Sequence, residues 1–164
     1  MSGAGRRELL AALLRAANGN PIAGADLAMR LGVSRQVVVQ DIALLRANGR
    51  RIIGTPGGYL LLGEALPSTV TAVLPCRHGI EQVEQELNIM VDCGLRVLDV
   101  VVEHPLYGEL RGNLMINDRA DVQRFVEGLR EGQYSMLSAL TGGVHLHTVE
   151  APAQTNIEQA REQL

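Results

Sequence analysis

The chain has 164 residues, a net charge of −3, 46% hydrophobic and 20% charged residues, which excludes a disordered tail and allows one domain or two small ones. No apolar run approaches the roughly 20 residues of a bilayer span, and no small-residue cleavage site follows the Arg-rich N-terminus, so neither a membrane anchor nor a secretory leader is expected. Two cysteines, Cys76 and Cys93, make no disulfide framework and fit a reducing cytoplasm, and with no Trp and one Phe no stacking platform for single-stranded nucleic acid is expected.

All 15 basic residues are Arg, and the charge is divided along the chain. Residues 1–63 hold eight Arg against Glu8, Asp26 and Asp41, a balance of +5. Residues 64–164 hold seven Arg against fifteen acids, a balance of −8, together with all four His. Two modules with different partners are predicted: residues 1–63 and 70–164, joined through 64–69, where Pro67-Ser68-Thr69 stands.

In the basic module, Leu9, Leu10, Leu13 and Leu14 recur at helical spacing behind Arg6-Arg7-Glu8, and Asn18-Gly19-Asn20-Pro21 ends that helix. A short helix follows over Ala25–Leu31. Gly32-Val33 turns the chain, and Ser34 caps a third helix from Arg35 to about Ala47, which Asn48-Gly49 stops. Val38, Ile42 and Leu45 form its buried stripe. Ser34, Arg35, Gln36, Val39 and Gln40 are left on the side that meets base edges when a recognition helix enters a major groove. Arg51–Leu62 reads as strand, Pro-Gly-Gly turn and strand, a hairpin wing with Arg50 and Arg51 at its base. A three-helix bundle that is basic by accident explains less, because capping, turn, charge sign and wing agree. The segment from Gly24 to Leu62, above all Leu31–Gly49, resembles the winged helix-turn-helix of the biotin-repressor type. The resemblance implies sequence-specific binding of double-stranded DNA, usually as a dimer.

In the acidic module, strands are predicted over Val70–Pro75, Leu95–Glu103, Glu109–Ile116 and Val144–Glu150. Helices are predicted over Ile80–Asp92, Arg119–Arg130 and Thr155–Gln163, the second capped by Asn117 or Asp118. The order β-α-β-β-α-β-α describes an α+β domain, an antiparallel sheet with helices on one face. Gly142-Gly143 reads as the opening of a strand. The last helix has two options, its own domain or a partner subunit.

His145 and His147 flank Leu146 on a strand, so both side chains point to one face, a bidentate clamp for a divalent metal. His78 stands just before a helix carrying Glu81, Glu84 and Glu86, with Glu86 on the side of Gln82 and Val83. Each alone is more often a surface or core residue; their company in one acidic module favours a metal. Cys76 forms Cys-x-His with His78 but reads better as a buried thiol, and Cys93 as core. His104, held extended ahead of Pro105, either caps a turn or meets a ligand. Arg77 pairs a ligand carboxylate or, more commonly, a surface acid.

The segments Pro75–Glu81, Val101–Glu109 and Leu137–Thr148 resemble the three-histidine domain. With the winged helix ahead of it, nearly the whole chain, about residues 6–151, is similar to NiaR-type repressors, which respond to nicotinate and control niacin uptake and NAD synthesis. That resemblance implies an HPr-like topology for the second domain. It also implies a metal site on His78, Glu86, His145 and His147, with nicotinate as corepressor at or beside the metal. Three imidazoles and a carboxylate suit nickel, zinc, iron or cobalt better than magnesium or calcium; the resemblance favours nickel. His104 and Tyr107, in a motif with no ligand role, are expected near the nicotinate, which approaches by its carboxylate or its ring nitrogen. The resulting expectation is a cytoplasmic, dimeric repressor, not an enzyme: no nucleophile–base pair, phosphate-binding glycine loop or nucleotide motif is present. The alternatives are a sensor for which the metal ion itself is the signal, and a metal-dependent enzyme fused to DNA-binding helices.

Overall fold

The computed structural model describes residues 2–63, 69–132 and 134–164. The chain divides into two compact units, Met1–Leu66 and Pro67–Leu164. The joint expected at 64–69 lies, except for Thr69, outside the described residues. Among the described residues no helix is long and apolar enough to cross a membrane.

The first unit packs three helices, α1 (Gly3–Ala16), α2 (Gly24–Leu31) and α3 (Arg35–Ala47), with a hairpin of β1 (Ile52–Thr55) and β2 (Gly58–Leu61). Leu10 and Leu14 of α1, Leu27 and Leu31 of α2 and Val38, Ile42 and Leu45 of α3 share one core. Ser34 Oγ accepts the Val37 N–H and so caps α3. Between α1 and α2, Ile22 exchanges two backbone hydrogen bonds with Tyr59, which gives the wing a third, one-residue strand. That close approach requires Gly58: its φ is +123°, and a Cβ there would lie 2.2 Å from the Ile22 carbonyl oxygen.

The second unit is a four-stranded antiparallel sheet in the order β3-β6-β4-β5, built from β3 (Val70–Arg77), β4 (Arg96–His104), β5 (Gly108–Ile116) and β6 (Val144–Ala151). The helices α4 (Val83–Asp92), α5 (Arg119–Gly132) and α6 (Gln154–Gln163) complete the expected element order. Leu74, Leu87, Met90, Val97, Val122, Val149 and Ile157 pack together between sheet and helices. Asp118 caps α5, its carboxylate accepting the Asp121 N–H. The last helix packs on its own domain: Ile157 and Ala160 are fully buried, and the Asn156 amide donates to the Cys93 carbonyl.

Three local features depart from the sequence reading. β3 runs through Pro75 to Arg77, because it is an edge strand and a proline there costs no ladder bond. The helix expected from Ile80 begins as a 3-10 turn over Ile80–Gln82 and becomes α-helical only at Val83. The Gly79 carbonyl serves both the Gln82 N–H and the His78 ring there. A second 3-10 turn, Leu137–Thr141, packs on β4 and β6, where the sequence suggested no element.

Candidate functional site: a histidine–carboxylate centre and a recognition helix

The register of β3 on β6 sets Leu74 opposite His147 and Cys76 opposite His145. Residues opposite one another share a face, so the alternation that buries Leu74 also turns both histidines and the thiol toward the helices. His145 and His147 are each 3% exposed, too buried for ordinary surface histidines. His78 follows directly on β3, its N–H bonded to the Gly143 carbonyl, and α4 lays Glu86, also buried, over the group.

Glu86 stands among the three rings. Its oxygens lie 2.7 Å from His78 Nε2, 3.1 Å from His145 Nε2 and 3.4 Å from His147 Nε2. Each Nδ1 meets a backbone carbonyl: Gly79 at 2.9 Å for His78, Gly143 at 2.8 Å for His145, Asp99 at 2.7 Å for His147. A carbonyl only accepts, so every Nδ1 carries the proton, and each Nε2 offers either a proton to Glu86 or a lone pair to a cation. Rings held from behind in one tautomer are how metal-binding histidines are oriented. His78 Nε2 is buried with no hydrogen bond, since its approach to Glu86 lacks the alignment for one. That orphaned donor atom and the N/O/S chemistry around it fit a divalent transition metal.

The electrostatics agree. Burial would raise the Glu86 pKa, but hydrogen bonds from His145 and His147 hold it well below the usual carboxylate range. Burial would lower that of His145, but the Glu86 carboxylate and the Gly143 carbonyl raise it above the ordinary imidazole value.

The sequence reading set one participant, Cys76, aside as a buried thiol and missed another. Donor atoms of Cys76, Glu86 and His145 lie within 4.8 Å of one another, so the thiol belongs to the cluster and is half-buried. Burial first, then the Glu86 carboxylate, raises the Cys76 pKa and keeps the metal-free thiol protonated. The signal was present: Cys76 and His78 have the same two-residue spacing as His145 and His147. The other is Asp99. The register of β4 on β6 shifts between Val97 and Val101, a bulge. There the Asp99 carbonyl reaches the His147 ring, while its carboxylate accepts the Thr148 N–H and pairs with Arg111. No sequence signal marks that bulge. Gly143 does more than open a strand, because its carbonyl receives both the His145 ring and the His78 N–H.

Of the residues expected near an effector, Arg77 lines a cavity of about 540 Å³ with Cys76, His78 and Glu86. His104 caps its own turn: its Nδ1 accepts the N–H groups of Leu106 and Tyr107, and its ring lies against that of Tyr107 at 5.1 Å.

In the first unit, Ser34, Arg35, Gln36, Val39 and Gln40 all lie on the exposed side of α3, and Arg50 and Arg51 are exposed ahead of β1. The buried Asp41 of α3 accepts two hydrogen bonds from the Arg6 guanidinium, at 2.5 and 3.2 Å, and so ties α1 to the recognition helix. Arg46 donates to the Ile52 carbonyl at 2.7 Å and ties α3 to the wing.

The first unit is a helix-turn-helix with a wing, the fold of DNA-binding transcription regulators, and it is followed by a second, α+β domain. Residues 6–60 match the HTH domain and residues 71–164 the 3H domain. The chain is 44% identical over 144 residues to "Probable transcription repressor NiaR" of Thermotoga maritima, covering 88% of this chain and 81% of that one. It is 41% identical over 162 residues to "Transcription repressor NadR" of Bacillus subtilis, covering 98% and 89%. The chain belongs to the NiaR/NadR family of 3H-domain transcription repressors, not to an enzyme family.

Proposed function

We propose that this protein is a cytoplasmic, homodimeric repressor of niacin-uptake and NAD-biosynthesis genes, with nicotinate as corepressor and a divalent transition metal, nickel ahead of zinc, iron or cobalt, in the 3H domain. His78, Glu86, His145 and His147 hold the metal. The observation that carries this reading is the convergence of three imidazole Nε2 atoms on one buried carboxylate, each ring held from behind by a backbone carbonyl. A purely structural histidine cluster has no need of three carbonyls that leave every Nε2 facing the same point. The metal, when bound, supplies a Lewis-acidic centre beside the cavity lined by Cys76 and Arg77.

The nicotinate part rests on the motif resemblance, and the DNA part on the exposed face of α3. Ser34, Arg35, Gln36, Val39 and Gln40 read base edges, and Arg50 and Arg51 hold phosphates. Arg and Gln present forks that match guanine and adenine edges. A dimer is favoured by the sheet face opposite the histidines, where Val73, Val144 and Leu146 are exposed. The test is elemental analysis of gently purified protein, then operator binding at fixed salt with and without nicotinate. Bound metal and tighter DNA binding with nicotinate are expected. His145→Ala/His147→Ala, folded by circular dichroism, is expected to lose both metal and the nicotinate response. An unchanged response in that variant overturns the metal's part in the reading.

A further inference from the structure

The register of the sheet supplies a donor beyond the three imidazoles and the carboxylate. Cys76 lies on β3 opposite His145, and the strand's alternation sends its side chain to the face that carries His145 and His147. Its Sγ, a Glu86 carboxylate oxygen and a His145 ring nitrogen lie within 4.8 Å of one another. Its hydrogen bond to the Leu74 carbonyl is long, at 3.9 Å, so no strong partner holds the thiol elsewhere. A second observation points to a ligand at the same place: His78 Nε2 is buried without a hydrogen bond, on a side chain only 10% exposed. The other cysteine, Cys93, is buried near α6, where the Gln163 amide meets its sulfur, and belongs to no such group among the described residues.

We propose that Cys76 is itself a ligand of the metal, joining His78, Glu86, His145 and His147, and that its sulfur sets which ion the site prefers. Coordination exchanges the S–H bond for a metal–sulfur bond, and the proton leaves to solvent. A thiolate among imidazoles favours zinc and other thiophilic ions over manganese or magnesium, whose preferred donors are oxygens. The cavity of about 540 Å³ that Cys76 lines with His78 and Glu86 gives an ion a path from solvent to the sulfur. The competing role is packing: Cys76 also lies against the apolar core of the unit, and a thiol that only fills space there is replaceable by a valine. The proposal rests on the metal reading above, to which it adds a donor, and is independent of nicotinate and of DNA.

The test uses the full-length protein, stripped by chelator under reducing conditions and reloaded with zinc, cobalt or manganese. X-ray absorption of the zinc form is expected to show sulfur at about 2.3 Å beside nitrogen and oxygen at about 2.0–2.2 Å. The cobalt form is expected to show a sulfur-to-metal charge-transfer band in the near ultraviolet. Cys76→Val, which keeps the apolar volume, is expected to lose that band, to weaken zinc at least about tenfold and to weaken manganese far less. Cys76→Ser, a smaller change at the edge strand, is expected to lose the band as well, and melting of both metal-free variants checks their fold. A zinc site with only nitrogen and oxygen neighbours, together with wild-type zinc affinity in either folded variant, overturns the proposal and leaves the four-ligand reading standing. Wild-type protein that takes up none of the three ions overturns both.

Discussion

Gly143 joins the two halves of the histidine centre. Its φ is +91°, a Cβ would lie 2.5 Å from the His78 carbonyl oxygen, and its own carbonyl orients the His145 ring. Gly143→Ala is therefore expected to cost about 1–2 kcal/mol for the left-handed backbone alone, and more for the displaced His78 strand end. Thermal melting and metal titration check this, with both stability and metal uptake falling. The ionisation of the cluster makes a second forecast for the metal-free protein. The Glu86 pKa is lowered, so its contribution is present above about pH 4.5 and is lost as pH falls through the folded value. The His145 pKa is raised, so its contribution is present below about pH 6.5 and is lost as pH rises through the folded value. Chelator-treated protein is expected to gain most from this pair between those limits. The melting temperature of His145→Ala against pH, flatter than that of wild type, is the measurement.

At the scale of elements, three of the eight Arg of the basic module are engaged within the fold. Arg6 and Arg7 lie against the buried Asp41, and Arg46 holds the Ile52 carbonyl, so these three assemble the helices and wing. That leaves five exposed Arg to meet DNA: Arg15, Arg30, Arg35, Arg50 and Arg51. Arg35 and Gln36, in the first turn of α3, and Arg50 and Arg51, ahead of the wing, are exposed. Arg35→Ala or Gln36→Ala is expected to cost about 1–3 kcal/mol on the operator and to relax specificity at one base pair. Arg50→Ala or Arg51→Ala is expected to weaken binding on all sequences alike and to lower the salt-dependence slope by about one. Binding isotherms on specific and random DNA at several salt concentrations separate the two outcomes. A matching loss for all four variants on random DNA would remove the base-reading role of α3. Asp41→Ala acts differently: it unties α1 from α3 and is expected to lower the melting temperature by several degrees.

For the whole molecule, a corepressor requires linkage between two sites in different domains. If nicotinate raises operator affinity by some factor, operator DNA must raise nicotinate affinity by the same factor. Titrating nicotinate into the free protein and into its operator complex, at one salt concentration, is expected to return equal coupling from both directions. Unequal factors mean that one titration also reports another equilibrium, such as dimerisation.

Composition and local pattern determined a great deal in this protein. The charge division pointed to two modules, Ser34 and the apolar stripe of α3 marked that helix's start and buried face, and the element order of the second domain was readable strand by strand. The His-x-His spacing placed two donors on one face, because alternation along a strand is a local property. What tertiary structure decided was everything that depends on pairing between distant segments. The register of β3 on β6 brought Cys76 opposite His145, and a bulge in β4 delivered the Asp99 carbonyl to His147. Register and bulges arise from the packing of whole strands against a shared core, so the reach of a side chain across the sheet is not written in its own neighbourhood.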